Sequence, residues 1–409
     1  MRPALSSSAA PPTATTATDR EAAKVMAAGI ASMVLTVGLA RFLYTPLLPV
    51  MQEQAHLSVT GGGWLATINY AGYMTGTLLI AAIGDLRTRF LFYRALLVIA
   101  VITTAAMGLT TSLVAWAVLR FFAGMTAVGA LLLGTGLMLA WLRHHGRRLE
   151  LGVPFGGLGL GIVVSGLLPM AMAFRLDWAG EWIASGLFGI VFLIPAWIWM
   201  PMPPQADAAG PAALADTPPV ARWMALFVAA YFCAGVGYVV SATFIVALVA
   251  HLPALRGMGN LVWVVVGLGA IPTAPLWDRV ARRTGDIRAL LAAFALLTLS
   301  IAIGATTRGV ALSLVGAALY GCSFNGITSM TLTIIGRLYP RNPSKAMARM
   351  TISFGAAQII APAVSGYIAA LTGSYDGALW MAAAVMVTGM ACLLLLPRQR
   401  TQAAAEAAA

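Results

Sequence analysis

Residues 25–51 read VMAAGIASMVLTVGLARFLYTPLLPVM, a run whose only charged member is Arg41. A helix needs about 20 apolar residues, at 1.5 Å each, to cross a hydrocarbon layer about 30 Å thick. The run is long enough to span that layer and too long for the apolar core of a cleavable signal peptide. It places the chain in lipid, and it places a permanently charged guanidinium inside the lipid layer.

The pattern recurs to the end of the chain. The 409 residues are 60% hydrophobic and 9% charged, with mean hydropathy +0.88, well beyond the roughly 45–50% apolar share of soluble domains. Apolar blocks at 25–51, 62–83, 92–111, 113–142, 151–174, 178–200, 222–250, 259–277, 289–307, 309–336, 346–371 and 375–396 predict an all-α membrane protein with twelve transmembrane helices. Residues 1–24 predict a disordered cytoplasmic tail, and 398–409 a second tail. Cys233, Cys322 and Cys392 fall inside apolar blocks and have neither a disulfide pattern nor metal-ligand spacing.

A net charge of +12 would suit a phosphate-binding surface, but its distribution excludes a nucleic-acid partner. With the N-terminus inside, 20 of the 25 Lys and Arg residues fall in inner segments. Only Arg175, Arg256 and Arg308 fall outside, and Arg41 and Arg120 lie within spans. This is the positive-inside bias of a multi-pass bacterial inner-membrane protein with both termini cytoplasmic. One missed span would invert every later loop, so the bias also supports the helix count.

Residues 201–221, with Pro201, Pro203, Pro204, Pro211, Pro218 and Pro219, form the one long polar interruption. They read as a cytoplasmic linker between a six-helix bundle at 25–200 and another at 222–397. Aligned at this break, Gly38-Leu-Ala-Arg41 matches Gly235-Val-Gly-Tyr238 at an offset of 197. Ser165-Gly166 matches Ser365-Gly366 at 200, and Asp177 matches Asp376 at 199. Near-constant offsets predict a duplicated unit, hence two pseudo-symmetric six-helix bundles.

A further match follows the second and eighth spans, where Ala81-Ala-Ile-Gly-Asp85-Leu-Arg87-Thr-Arg89 parallels Ala274-Pro-Leu-Trp-Asp278-Arg279-Val-Ala-Arg282-Arg283. This resembles the G-x-x-x-D-R-x-G-R-R loop of the major facilitator superfamily, departing from it at Ala81, Leu86, Thr88, Ala274 and Ala281. Arg120-Phe-Phe-Ala-Gly124 is similar to the R-x-x-x-G element of that superfamily's fourth helix, whereas the fifth span lacks the G-P-x-x-G-G pattern of its drug antiporters. More narrowly, the stretch Gly38–Met51, with Gly237-Tyr238-Val-Val-Ser241, is similar to the YbfB/YjiJ-type branch. Over about 25–397 the resemblance implies the major facilitator fold around a cavity that opens alternately to each side.

Inserting an arginine in the apolar layer costs at least about 2.5–3.5 kcal/mol, so Arg41 and Arg120 must face a cavity or a partner. All 13 acidic residues fall in tails, loops or span ends. If the two guanidinia lie within about 6 Å at an effective dielectric near 20, they repel by roughly 3 kcal/mol, which a bound anion would relieve. Two readings follow: the pair holds a small organic anion, or it bonds backbone carbonyls and stiffens the bundle. Tyr44, Asn69, Tyr73, Tyr238, Ser241 and Asn325 lie on polar stripes of nearby spans and are candidate substrate contacts; the competing reading is interhelical hydrogen bonding. Asp85, Arg87, Arg89, Asp278, Arg279 and Arg282 are candidate gating residues, facing Lys345–Arg349 or Arg147–Glu150 when the inner side closes; the competing reading is a local, solvated salt bridge. Gly156-Gly157-Leu-Gly159-Leu-Gly161 and Gly72-x-x-x-Gly76 read as close helix packing rather than a dinucleotide loop.

The expected protein is a transporter with a small-molecule, anionic substrate, working by alternating access as a monomer, with protons as an open coupling partner and no cofactor or metal. Efflux of amphipathic compounds is the rival within transporters. No P-loop motif supports an ATP-driven pump. Enzyme chemistry would need a positioned acid or base, but His56, His144, His145 and His251 all sit near span ends.

Overall fold

The computed structural model describes residues 19–83, 85–145, 152–202, 218–250, 259–307, 309–339 and 343–397, and among these it contains helices and no strand. Helix α1 (Asp19–Met33) runs into nine π-helical residues, Val34–Phe42, and then into α2 (Tyr44–Gln54). Next come α3 (Val59–Ala82), α4 (Leu86–Ala106) and α5 (Leu113–Val128); a second π-helical segment, Gly129–Gly134, leads into α6 (Thr135–His144). The remainder is α7 (Gly152–Met172), α8 (Trp178–Ile198), α9 (Ala221–Ala250), α10 (Gly259–Ala270), α11 (Thr273–Thr284), α12 (Asp286–Thr306), α13 (Val310–Leu338), α14 (Pro343–Thr372) and α15 (Asp376–Leu394). Among the described residues, nine helices are long and apolar enough to cross a membrane, or ten if α10 and α11, bent by 48°, form one broken span.

Local chemistry sets the helix starts. Ser58, Asp85 and Asp177 each accept a hydrogen bond from the backbone N–H three residues on, at 3.0, 2.7 and 2.8 Å, satisfying donors that a helix N-terminus leaves free. Helix α1 is described from Asp19 onward, inside the predicted tail, with Asp19 and Glu21 in the first described turn. Residues 273–284, read from sequence partly as an inner loop, are helical instead. Pro272 supplies no N–H and breaks the run, and α11 then restarts with Trp277 buried and Asp278, Arg279, Arg282 and Arg283 exposed.

On the outside of the bundle Leu78, Ile102, Leu109, Leu187, Leu371 and Leu394 are exposed, as on a lipid-facing surface. Inside, glycines let backbones touch. A methyl placed on Gly124 of α5 would collide with the Asn69 carbonyl of α3, and one on Gly72 with that of Phe121. Gly161 of α7 similarly meets the Gly38 backbone.

Contacts across the linker gather toward the end where α2 passes into α3. Thr45 donates to the Ala242 carbonyl at 2.6 Å, Thr67 to that of Ile359 at 2.9 Å, and the Gln52 amide to the Tyr375 hydroxyl at 3.3 Å. Gly63 backs onto Pro362 and Gly366, and Gly166 onto Asn260 and Val264. That end of the molecule is shut.

Candidate substrate-binding site

Arg41 sits in the π-helical segment, where Leu43 donates to the Gly38 carbonyl five residues back, at 2.9 Å. In this register the Arg41 carbonyl would pair with residue 46, which is Pro46 and has no N–H. Arg120, reaching over from α5, supplies what is missing. Its Nη1 donates to the Ala40 carbonyl at 3.0 Å and its Nη2 to the Arg41 carbonyl at 3.1 Å. Its guanidinium also lies 4.5 Å from the ring centre of Tyr44, whose hydroxyl donates to the Gly62 carbonyl at 2.8 Å. Asn69 completes the strut by donating from Nδ2 to the Arg120 carbonyl at 2.8 Å.

The Arg41 side chain has different company. It is 6% exposed, and its Nη2 donates to Gln358 Oε1 of α14 at 3.2 Å. Its guanidinium carbon lies 4.4 Å from the ring centre of Tyr73, 4.7 Å from Tyr70 and 5.3 Å from Phe42. Its Nε is buried without a partner, and no carboxylate lies within ion-pair distance of it among the described residues. Cation–π contacts contribute about 0.5–2 kcal/mol each, enough to offset the insertion cost but not to neutralise the charge.

Tyr238 of α9 lies beside Arg41 and Tyr70. It opens a bank of nearly parallel rings: Tyr238 against Phe324 at 5.3 Å and Phe354 at 5.7 Å, and Phe354 against Tyr231 at 4.6 Å. The Tyr320 hydroxyl ties the bank down by donating to the Tyr238 carbonyl at 2.9 Å. Ser241 and Asn325 are buried on the same two helices, α9 and α13.

The structure therefore brings Arg41, Tyr73, Tyr238, Arg120, Tyr44 and Asn69 into one region, with the last three engaged in holding backbone. Sequence reasoning missed Gln358 and Tyr70. A lone Gln in an apolar span and a Tyr three residues before Tyr73 were the available signals. Glu181, read as a span-end acid, is 2% exposed in the first turn of α8, with Oε2 buried and unpartnered.

At the opposite end, Asp85 accepts from both the Thr88 N–H and its hydroxyl, at 2.7 Å each. These bonds, the side-chain one foremost, hold its carboxyl below the ordinary value of 3.8. Arg89 donates to the Ile83 carbonyl at 2.8 Å, Asp278 pairs with Arg282 in its own helix at 3.6 Å, and Arg87 and Arg279 are exposed. Lys345, Arg147 and Glu150, the expected opposing partners, lie outside the residues whose side chains are described. A cavity of about 330 Å³ opens here between α11, α12 and α13, lined by Asp278, Arg282, Asp286 and Arg337 among others; Arg41 does not reach it.

A family model described as "Uncharacterised MFS-type transporter YbfB" matches residues 33–394. The chain belongs to this family of the major facilitator superfamily. A 96-residue stretch is 30% identical to the "Uncharacterized MFS-type transporter YceJ" of Bacillus subtilis (strain 168), covering 24% of this chain and 25% of that relative. The chain thus matches about a quarter of that curated relative's length. Among solved structures, the nucleoside transporter NupG superposes with a TM-score of 0.74 at 13% identity, over 92% of this chain and 100% of NupG. A bacterial homolog of the human lysosomal transporter Spinster, inward-facing and occupied, superposes at 0.63 and 15% identity, over 93% and 95%. Identities this low show a shared fold alone. As a member of this family, described as MFS-type transporters, the chain is an integral inner-membrane protein.

Proposed function

We propose that this transporter is a carrier of small organic anions that works by alternating access, with Arg41 as the anion's principal contact. The observation that carries the reading is the buried Arg41 guanidinium, held by Gln358 and aromatic faces with no carboxylate beside it among the described residues. A planar guanidinium bonds a carboxylate or phosphonate in bidentate fashion. Arg120 is close enough to add its field, while its own terminal nitrogens serve the backbone. Tyr73, Tyr238, Ser241 and Asn325 then line the path around the bound anion, and Tyr44 and Asn69 hold its floor.

The architecture of this reading is twelve spans in two pseudo-symmetric six-helix bundles, residues 25–200 and 222–397, with the linker and both tails cytoplasmic. Support comes from contacts between repeat-related positions. Thr45 bonds Ala242, an offset of 197 that equals the Arg41-to-Tyr238 offset. Gly366 crosses Gly63 while Gly166, its repeat mate, crosses Asn260 and Val264. A two-fold relation makes each such contact occur twice. The Thr45-to-Tyr375 end is then the outer gate, closed here, and the Asp85 and Asp278 segments are the inner gate.

Efflux of amphipathic compounds is the second reading, and the bank of rings from Tyr231 to Tyr320 favours it. A thermal-shift screen of purified protein against small carboxylates, phosphonates, uridine and lipophilic cations separates the two. Stabilisation by carboxylates or phosphonates that disappears in Arg41→Lys supports anion transport; a response confined to lipophilic cations, or anion affinity in Arg41→Lys and Arg41→Gln unchanged from wild type, ends it.

A further inference from the structure

Arg94 stands apart from the site just described. It lies eight residues into α4, about 12 Å along the axis, on the seam where α4 packs against α8. Its guanidinium is sandwiched between two rings, 4.5 Å from Phe90 and 4.5 Å from Trp197. Nη2 donates to the Trp197 carbonyl at 3.3 Å, and the buried Nε has no partner. The Tyr93 hydroxyl, donating to the Ala196 carbonyl at 3.3 Å, and the close approach of Gly186 to Ala105 fix the two helices together.

Capping the carbonyls at the end of α8 accounts for the Nη2 bond. It does not account for a clamped guanidinium with terminal N–H groups left over on the lipid-facing side of the bundle. From Arg94 the seam continues as exposed aliphatic surface: Leu91, Val98 and Ile102 on α4, and Val191, Ile194 and Ile198 on α8. One turn closer to the helix start than Leu91, Arg87 is exposed on the same face. Trp197 and Trp199 are partly exposed beside it, at the depth where indole rings mark the boundary between headgroups and acyl chains. Cationic groups at one end and a shallow aliphatic groove leading from them match a lipid anion in charge and in shape.

We propose that the α4–α8 seam binds an anionic phospholipid, its phosphate held by Arg94 and Arg87 and an acyl chain lying along the exposed aliphatic stripe. Basic crevices between membrane helices capture acidic headgroups in this way, each basic residue near the surface contributing about a five-fold preference. The rings of Phe90 and Trp197 orient the guanidinium plane, so charge alone does not reproduce the site.

The test compares full-length protein in nanodiscs of phosphatidylcholine with and without phosphatidylglycerol, counting retained lipid by native mass spectrometry. Wild type is expected to keep phosphatidylglycerol about 25-fold over phosphatidylcholine, about five-fold from each of the two arginines. Arg94→Gln should lose most of that preference, and free inorganic phosphate should not displace the lipid. Equal retention in wild type and Arg94→Gln, or displacement by phosphate alone, overturns the proposal. If Arg94→Gln does not fold, hydrogen exchange on wild type decides. Slower exchange in peptides from both α4 and α8 on adding phosphatidylglycerol supports the site, and unchanged exchange overturns it.

Discussion

The Nη2 nitrogen of Arg120 lies 3.1 Å from the carbonyl oxygen of Arg41, so one buried arginine holds the backbone of the other. The two guanidinia are thereby given different work. Arg120 compensates a π-helical turn that Pro46 cannot close, and Arg41, carried on that turn, has no carboxylate partner among the described residues.

This division predicts opposite phenotypes. Hydrogen bonds from charged donors contribute about 1.5–3 kcal/mol each, and a lysine at 120 can keep only one of the two. Arg120→Lys should lower thermal stability by about 2 kcal/mol with or without ligand. Arg41→Lys should leave the melting temperature of the empty protein nearly unchanged and abolish its rise on adding anions. The two melting curves, each with and without a carboxylate, check both statements.

The contact of Asn69 with the α5 backbone explains the spacing of Arg120 and Gly124. Asn69 bonds the Arg120 carbonyl, and its own carbonyl rests on Gly124, where a Cβ has no room. Gly124→Ala should therefore push α3 from α5 and cost about 1–3 kcal/mol, the usual range for overpacking. Gly136, around which a Cβ meets nothing within 4 Å, is the control. The yield of monodisperse protein after detergent extraction should fall for Gly124→Ala and hold for Gly136→Ala.

Much of this was legible because lipid simplifies the code. Apolar block length marks the helices, and charge asymmetry orders the loops. The glycines at 72, 159 and 161 announce close packing by having no other use in an apolar helix. The π-helical register of Val34–Phe42 was not legible. No residue pattern marks it, since the carbonyls it leaves open are satisfied by a side chain 79 residues away. Gln358 was hidden for the same reason, being 317 residues from Arg41. The helical continuation through Asp278 was masked by its charges, since Asp278, Arg279, Arg282 and Arg283 end the apolar block at 277 although the helix runs on to Thr284.

Asp85 makes a pH-dependent contribution whose sign is fixed by its lowered carboxyl. A group held below its ordinary value adds stability wherever it is ionised in both states, and loses that contribution as pH falls through the lowered folded value. Protection of the Thr88 amide against hydrogen exchange should be constant above the ordinary carboxylate range and fall below it. Asp85→Asn, which retains an acceptor, should remove that pH dependence, and Asp85→Ala should remove the protection at every pH. Under the gating proposal, Asp85→Asn also raises the reactivity of a cysteine probe on the inner side.

The buried carboxylate of Glu181 predicts a gain rather than a loss. One oxygen has no partner, Asp177 is close by in the same turn, and burial of an unpaired acid is costly. Glu181→Gln keeps the shape and removes the charge. It should raise the thermal midpoint at neutral pH by the equivalent of about 1 kcal/mol. If the carrier moves protons through this group, the variant also flattens the dependence of uptake on an imposed pH gradient.

The shut end of the molecule yields the most direct test of motion. Gln52 on α2 and Tyr375 before α15 are joined by a 3.3 Å hydrogen bond across the linker-divided chain. In alternating access this contact must break once per cycle, because a solute cannot pass while the two sets of helices touch there. Replacing both residues with cysteine should allow a reducible bifunctional thiol reagent to bridge them in the conformation described, and uptake should stop on cross-linking and return on reduction. Gln52→Ala, which only loosens the contact, should instead raise labelling of outer-side probes by several-fold while transport continues, since a single neutral hydrogen bond contributes about 1 kcal/mol to holding that end closed. Full transport by the cross-linked pair would show that the solute crosses without opening this end.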